Sequence, residues 1–253
     1  MKKLSIVLAV YNEEENLRQC LESVKDLAWE IVVVDGGSTD RTCQVAKDFG
    51  ARIIDTDNPP LFHINKNKAI DAAKGEWILQ LDADEIVTKD LTAEIKEAIE
   101  EPFINGYWIP RKNFFLGRFL KKGGQYPDYT LRLYKKGKGR LPAKDVHEQA
   151  LVQGQTGFLK ADLLHVRDKT FAYYLEGFNR YTDLLALQLQ AAGFKNNFFA
   201  FVNFLFFKPF FWFIKAYFRH LGLMDGFPGF IFALFSALRF PVSYIKYRIK
   251  NTK

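Results

Sequence analysis

Two aspartates one residue apart, Asp82 and Asp84, follow directly on the apolar run Trp77–Leu81. If that run is a strand and continues, side chains two apart share a face. A carboxylate pair at a strand end can hold a hard divalent cation, magnesium or manganese, that bridges to phosphate oxygens. Two such aspartates in an isolated loop would simply be solvated. Their place after a buried run, in a nucleotide-binding layout, turns the reading toward a site. Asp35 follows a second apolar run, the four residues Ile31–Val34. Its carboxylate can accept hydrogen bonds from a base N–H or from ribose hydroxyls, or it can cap a helix. Asp40 suits the capping role better. No G-x-G-x-x-G follows the first apolar run, and there is no P-loop lysine. A dinucleotide dehydrogenase and a P-loop kinase are therefore disfavoured.

These residues need a frame, and the first hundred residues supply one. Leu4–Val10 reads as a buried strand. Two lysines and this short run look like the start of a signal peptide, but acidic residues follow with no small-residue cleavage site. Asn12 can cap the next helix, with Glu15 at capping-box spacing. Leu17, Cys20, Leu21, Val24 and Leu27 then recur at helical spacing. Glu30–Val34 is a second strand, Gly36-Gly37 a turn, and a helix starting at Ser38 or Asp40 stops at Gly50. A short strand over 52–54, a helix over 65–74, the strand Trp77–Leu81 and a helix over 91–100 complete the alternation. Such alternation implies a mostly parallel sheet with helices on both faces. Ligands bind such sheets beyond the carboxyl ends of the strands. Asn12, Asp35, Asp82 and Asp84 all fall at those ends. From Gly106 to Leu164 shorter strands and glycine-rich turns predict hairpins over 107–110 and 130–134, and a long helix runs from Phe171 to near Gly193. Arg132 alternates with apolar neighbours, so it can meet phosphate or pair with an acid.

The chain has 253 residues, 48% hydrophobic and 26% charged, enough for one large α/β domain with an appendage. Its two cysteines, Cys20 and Cys43, lie in helical patterns and suggest no disulfide framework. The net charge of +7 is unevenly placed. From Lys195 onward there are nine Lys/Arg and one acid, Asp225; before it, 27 basic and 28 acidic residues nearly cancel. Sixteen of the 25 phenylalanines lie from Phe194 onward. Nucleic-acid binding would spread basic residues over a polar surface; cations spaced along an aromatic segment point to an anionic membrane surface. Asn196–Phe207 and Gly226–Leu238 are uncharged but shorter than the roughly 20 residues a spanning helix needs. Lys208, Lys215 and Arg219 fall at steps of seven and four, as do Arg239, Lys246 and Lys250. Each set makes one basic helical stripe, the pattern of a helix lying in the interface.

The stretches SIVLAVYNEEENL, EIVVVDGGSTDRT and KGEWILQLDADE together resemble family 2 of the glycosyltransferases. By motif the resemblance covers about residues 4–100, and more loosely it extends through YPDYTLRLYKKGKGRL and VHEQ to His165. Within the family it is nearest a group similar to lipopolysaccharide core β-glucosyltransferases. The resemblance implies a GT-A fold, with a glycosyltransferase domain over 1–193 (donor half 1–100, acceptor half 101–170); the aromatic and basic pattern of the tail implies membrane-associating amphipathic helices over 194–253. It implies a nucleotide-sugar donor, a UDP-sugar by preference, bound by Tyr11, Asn12, Glu13, Asp35, Lys66 and Asp82. It implies a divalent cation, Mg2+ or Mn2+, on Asp84 and Asp82, with His165 completing the sphere. Lys66-Asn67 stands where the family often has Arg-Asn, which leaves donor preference open. It implies an inverting mechanism with a carboxylate base from the second half: Glu148 first, Asp128 second, Asp145 third. The expected acceptor is a lipid-linked or lipopolysaccharide-type glycan, and the expected location is the cytoplasmic face of the plasma membrane. Three other readings stand beside this one: a polyprenyl-phosphate sugar synthase, a nucleotidyltransferase that makes nucleotide sugars, and a non-catalytic membrane scaffold.

Overall fold

A computed structural model describes residues 2–59, 61–142, 149–168 and 170–250. The chain divides into two compact units: Met1–Arg111 with Asp128–Val166, and Lys112–Pro127 with Arg167–Lys253.

The first unit opens with β1 (Leu4–Val10), α1 (Glu14–Val24), β2 (Glu30–Asp35), α2 (Thr42–Asp48), β3 (Arg52–Asp55), α3 (His63–Ala72) and β4 (Trp77–Leu81). Then come β5 (Glu85–Val87), α4 (Lys89–Ala98) and β6 (Gly106–Phe115), which enters the second unit at Lys112; β7 (Arg118–Phe119) belongs to that second unit, and β8 (Asp128–Lys135) to the first. The short β9 (Gly139–Arg140), β10 (Leu151–Val152) and β11 (Thr156–Phe158) lead to β12 (Leu163–Asp168). Strand order is β3-β2-β1-β4-β8-β6-β12-β5. β3, β2, β1 and β4 run parallel, whereas β8 is antiparallel to both β4 and β6, and β5 to β12. The predicted α/β alternation thus forms a parallel half, joined to an antiparallel half.

Side-chain alternation along β1 explains the layering. Leu4, Ile6 and Leu8 face one core, with Leu17, Leu21 and Val24 of α1. Val7 faces the other, with Val32 and Val34 of β2 and Ala69, Ile70 and Ala73 at α3. Each fully buried aliphatic side chain contributes roughly 1.5–3 kcal/mol, so the parallel half is a firm base for the loops at its carboxyl edge.

Several boundaries shift from expectation, each for a local reason. The first helix starts at Glu14, and Asn12 does not cap it: Asn12 is left-handed at φ 54°, and its Oδ1 accepts from the Thr39 N–H at 2.8 Å. The capping box with Glu15 is therefore absent. The next helix starts at Thr42, whose N–H and hydroxyl are both held by Asp40 Oδ1. The helix predicted over 91–100 begins two residues earlier, because the Thr88 hydroxyl accepts from the Leu91 N–H at 3.2 Å. Sequence periodicity did not reveal β5 or its pairing with β12.

The second unit contains α5 (Phe171–Ala191), α6 (Phe198–Val202), α7 (Lys208–Ile214) and α8 (Gly226–Lys250). α-Helix gives way to π-helix over Asn203–Phe207 and Lys215–Arg219, so Phe198–Arg219 is one helical run. Thr170 caps α5 and Asn197 caps α6 through side-chain oxygens. Aromatic edges hold the unit together: Phe115 meets Tyr174 and Phe232 at 4.8 and 5.8 Å between centroids, and Phe235 meets Phe171, Tyr174 and Phe178. The Tyr244 hydroxyl donates to Asn196 Oδ1 and the Tyr247 hydroxyl to the Phe194 carbonyl, both at 2.6 Å.

Candidate active site

β1 sits between β2 and β4, with Val10 opposite Asp35 and Leu8 opposite Leu81. Asp35 and the Asp82–Asp84 turn therefore leave the same edge of the sheet, two strands apart, about 10 Å at the usual interstrand spacing. That is a separation a nucleoside and its diphosphate can bridge.

Asp35 is buried, and its carboxylate organises the loop that follows. Oδ2 accepts from the Gly37 and Ser38 N–H groups at 3.0 and 2.8 Å, and Oδ1 accepts from the Ser38 hydroxyl at 2.5 Å. Gly37 takes φ +84°, which side chains rarely adopt. The Ser38 hydroxyl in turn accepts from the Asn12 N–H at 2.9 Å. The loops after β1 and β2 are thus stitched together through Asn12, Ser38 and Thr39. Tyr11 is exposed beside them. The Glu13 N–H donates to the Thr42 hydroxyl, and its carboxylate accepts from Asn16.

Asp82 and Asp84 have different partners. β4 ends at Leu81, and the Glu85 carboxylate folds back to accept from the Asp82 N–H at 3.0 Å, which closes a turn. The turn sends the two side chains to different partners. Asp82 pairs with the Lys66 ammonium and, at 2.6 Å, with Arg132. Asp84 Oδ2 lies 3.4 Å from His165 Nε2. The antiparallel ladder of β5 and β12 accounts for that meeting: His165 stands opposite Glu85, and the Val166 N–H donates to the Asp84 carbonyl at 2.8 Å.

Beneath the turn lies a buried ionic network. Arg132 donates to Gln80 Oε1 at 2.7 Å, Asp82 Oδ2 at 2.6 Å and Glu85 Oε1 at 2.7 Å. Pairing of β8 with β4 puts Leu133 opposite Leu79, which brings Arg132 alongside Gln80. Arg111 Nε and Nη2 hold Asp128 Oδ2 at 3.0 and 2.7 Å, with Nη1 3.5 Å from Glu85. Burial alone would raise the Asp82 pKa, but Arg132 and Lys66 overcome it and hold that carboxyl far below the usual range. Burial likewise works against the Arg132 charge, and Asp82 and Glu85 more than restore it. Lys66 keeps a lowered pKa, from burial first, despite Asp82.

Because Asp82 titrates below its value in the unfolded chain, about 3.9, the native state resists protonation there. Its contribution to stability is complete above about pH 5 and drains away as pH falls through 4. In Asp82→Asn the drop in stability between pH 6 and pH 3, measured by urea unfolding, is therefore expected to be smaller than in the wild type.

The donor set can hold a divalent cation. Asp84 and His165 offer carboxylate oxygen and imidazole nitrogen from opposed backbones, and both are largely buried. The charges agree. Lys66, Arg111 and Arg132 pair with Asp82, Glu85 and Asp128, three cations to three carboxylates, and Asp84 beside His165 is a fourth carboxylate.

Asn67, next to Lys66, grips Leu141: its Nδ2 donates to the carbonyl at 2.9 Å and its Oδ1 accepts from the N–H at 3.2 Å. Glu148 and Asp145 lie outside the described residues. Sequence reading missed Glu85, Gln80 and Arg111. A polar Gln80 inside the otherwise apolar WILQL was the available signal.

Comparison with known proteins agrees with this architecture. A model of Glycosyl transferase family 2 matches residues 5–164. The chain is 31% identical over 248 residues to the lipopolysaccharide core biosynthesis glycosyltransferase LpsC of Rhizobium meliloti (strain 1021), covering 93% of this chain and 88% of that one. It is 37% identical over 118 residues to a TPR repeat-containing protein of Synechococcus elongatus (strain ATCC 33912 / PCC 7942 / FACHB-805), of whose length it spans only 29%. Among solved structures, mannosyltransferase PcManGT from Pyrobaculum calidifontis, in complex with GDP-Man and Mn2+, superposes with a TM-score of 0.55 at 13% identity, over 98% of this chain and 87% of that chain. S. aureus TarS 1-349 gives 0.51 at 17%, over 97% and 89%. At such identities the likeness is one of fold, and the fold is GT-A. From its match over residues 5–164 and its 31% identity to LpsC across nearly the whole length, this chain belongs to glycosyl transferase family 2.

Proposed function

We propose that the protein is an inverting glycosyltransferase that moves a sugar from a nucleotide-sugar donor, a UDP-sugar by preference, to a hydroxyl of a cell-envelope glycan of the lipopolysaccharide type. One observation carries the reading: Asp84 and His165 meet 3.4 Å apart at the sheet edge that also carries Asp35. In this reading Asp84 and His165 hold Mg2+ or Mn2+, which when bound neutralises charge on the departing diphosphate. Asp82 acts through its cations, fixing Lys66 and Arg132 beside the diphosphate rather than ligating metal. Asp35, with Tyr11 and Asn12, takes the base and ribose.

For the base, Glu148 is favoured over Asp128. The Asp128 carboxylate already receives two Arg111 N–H groups, and a cation so placed weakens it as a proton acceptor. Glu148 would take the acceptor hydroxyl proton as that oxygen attacks the anomeric carbon, and the glycosidic bond to the diphosphate breaks on the far side. Membrane attachment at the cytoplasmic face places the site beside a lipid-linked acceptor. It is supported by two helical runs long and apolar enough to cross a membrane, Phe198–Arg219 and Gly222–Lys250, by the cationic tail and by the free cysteines Cys20 and Cys43.

A donor panel tests this. Purified full chain with Mn2+ is offered UDP-, GDP- and other nucleotide sugars, and slow donor hydrolysis is followed. One donor class is expected to be hydrolysed in a metal-dependent way by wild type and not by Asp84→Ala. Equal hydrolysis by both, or none of any donor, would contradict the reading.

A further inference from the structure

The second unit shows how the chain would meet its membrane. Phe198–Arg219 and Gly222–Lys250 fold back on each other through a turn at His220–Gly226. Phe198–Arg219 has 22 residues, about 33 Å of helix, so length alone would permit a crossing. Its outward face is aromatic: Phe199, Phe206, Phe207, Phe210 and Phe211 are each more than half exposed, as is Phe227 beyond the turn. So large an apolar surface requires cover.

Two features oppose a crossing. The first is the position of the cations. Lys208 lies halfway along its run, with its ammonium 3.7 Å from the Phe204 ring centroid. Lys215 and Arg239 both sit over Trp212, at 4.7 and 4.5 Å, and Arg239 also lies 4.9 Å from the Phe240 ring. Among the described residues no carboxylate pairs with any of the three. In a spanning pair Lys208 and Arg239 would lie deep in hydrocarbon, where lone cations are costly. In a pair lying flat, all three reach the headgroups while the rings enter the acyl boundary.

The second feature is the turn. The buried Asp225 carboxylate accepts from the backbone N–H groups of Lys121 at 3.1 Å and Lys122 at 2.8 Å, and the Gly123 N–H donates to the His220 carbonyl at 2.8 Å. Arg118 adds an ion pair at 3.8 Å. The turn is thus fastened to the segment Lys112–Pro127. Lys122 is only five residues before Pro127, at most about 18 Å of extended chain, and β8 starts at the next residue, Asp128. A hydrocarbon core is about 30 Å thick. The chain is too short to carry the turn to the far leaflet while β8 stays in the sheet.

We infer that the helical pair lies in the plane of one leaflet, its phenylalanines in the acyl boundary and Lys208, Lys215 and Arg239 on anionic phospholipid headgroups, so that its turn does not reach the far leaflet. This rests on the membrane attachment proposed above and fixes its mode. The two can fail separately.

The test uses the full chain in a Cys43→Ser background, carrying either Lys47→Cys as the marker of the catalytic side or Lys122→Cys beside the turn. Each is added from outside to preformed vesicles of equal phosphatidylglycerol and phosphatidylethanolamine, floated, and exposed to a membrane-impermeant maleimide. Both positions are expected to label without detergent. Labelling of Lys122→Cys only after detergent, with Lys47→Cys labelled before it, would overturn the in-plane mode. Failure to float at all would remove the attachment itself. Replacing the phospholipids by phosphatidylcholine is expected to lower the bound fraction at least tenfold, and equal binding would overturn the anionic headgroup assignment.

Discussion

Asp84→Ala is expected to lower kcat/KM for sugar transfer by about a thousandfold or more, while the thermal midpoint stays within a few degrees of the wild type. A thousandfold loss corresponds to about 4 kcal/mol of transition-state stabilisation, the scale of a metal-borne charge on a leaving diphosphate. The fold is expected to survive because Asp84 lies in a turn whose structure comes from elsewhere: Glu85 accepts from the Asp82 N–H, and the Asp84 carbonyl, not its side chain, accepts from Val166. His165→Ala is expected to cost less, about 10- to 100-fold, since one ligand of several is lost. Adding Mn2+ should recover part of the His165→Ala loss and none of the Asp84→Ala loss. Steady-state kinetics over a Mn2+ titration reads both.

The largest expected effect on stability belongs to Arg132. Among the described residues, Arg132→Met leaves Asp82 with Lys66 as its remaining cation, and Glu85, fully buried, with the more distant Arg111. Breaking a buried ionic network by removing one partner costs about 3–5 kcal/mol. The urea midpoint should fall accordingly with little change in slope. Arg132→Lys should recover only part of it, because an ammonium cannot reach Gln80, Asp82 and Glu85 together as the guanidinium fork does. Adding Glu85→Gln to Arg132→Met should restore about half, since it removes the most buried uncompensated charge. A double variant no more stable than Arg132→Met alone would show that Glu85 is not the group Arg132 compensates.

The contrast between these two aspartates shows what the sequence could carry. β1, β2 and β4 were legible because buried parallel strands need near-continuous apolar runs, and Leu4–Val10, Glu30–Val34 and Trp77–Leu81 are such runs. From those runs came the shared edge of Asp35, Asp82 and Asp84, which strand order now gives. The divergence of Asp82 from Asp84 was not legible. It depends on Glu85 folding back and on β5 pairing with β12, more than seventy residues away. Periodicity names a strand but not its partner or register. Arg111 was invisible for the same reason: it pairs across the ladder with Asp128.

The tail divides along similar lines. Its aromatic and basic content was plain, and the steps of seven and four gave the stripes. That Lys112–Pro127 joins the helical unit was not readable, because it depends on Asp225 meeting the Lys121 and Lys122 N–H groups and on Phe115 meeting Tyr174 and Phe232. The cut expected at residue 193 therefore falls inside a unit that starts again at Arg167.

In the proposed function, Asp84 and His165 hold a divalent cation against a diphosphate. Electron paramagnetic resonance of Mn2+ titrated into the full chain with UDP measures that directly. Bound Mn2+ should appear with wild type, weaken at least tenfold in Asp84→Ala, and persist in Asp128→Asn, because the wild-type Asp128 carboxylate is engaged by Arg111. Mn2+ and UDP bound by Asp84→Ala as tightly as by wild type would contradict the account.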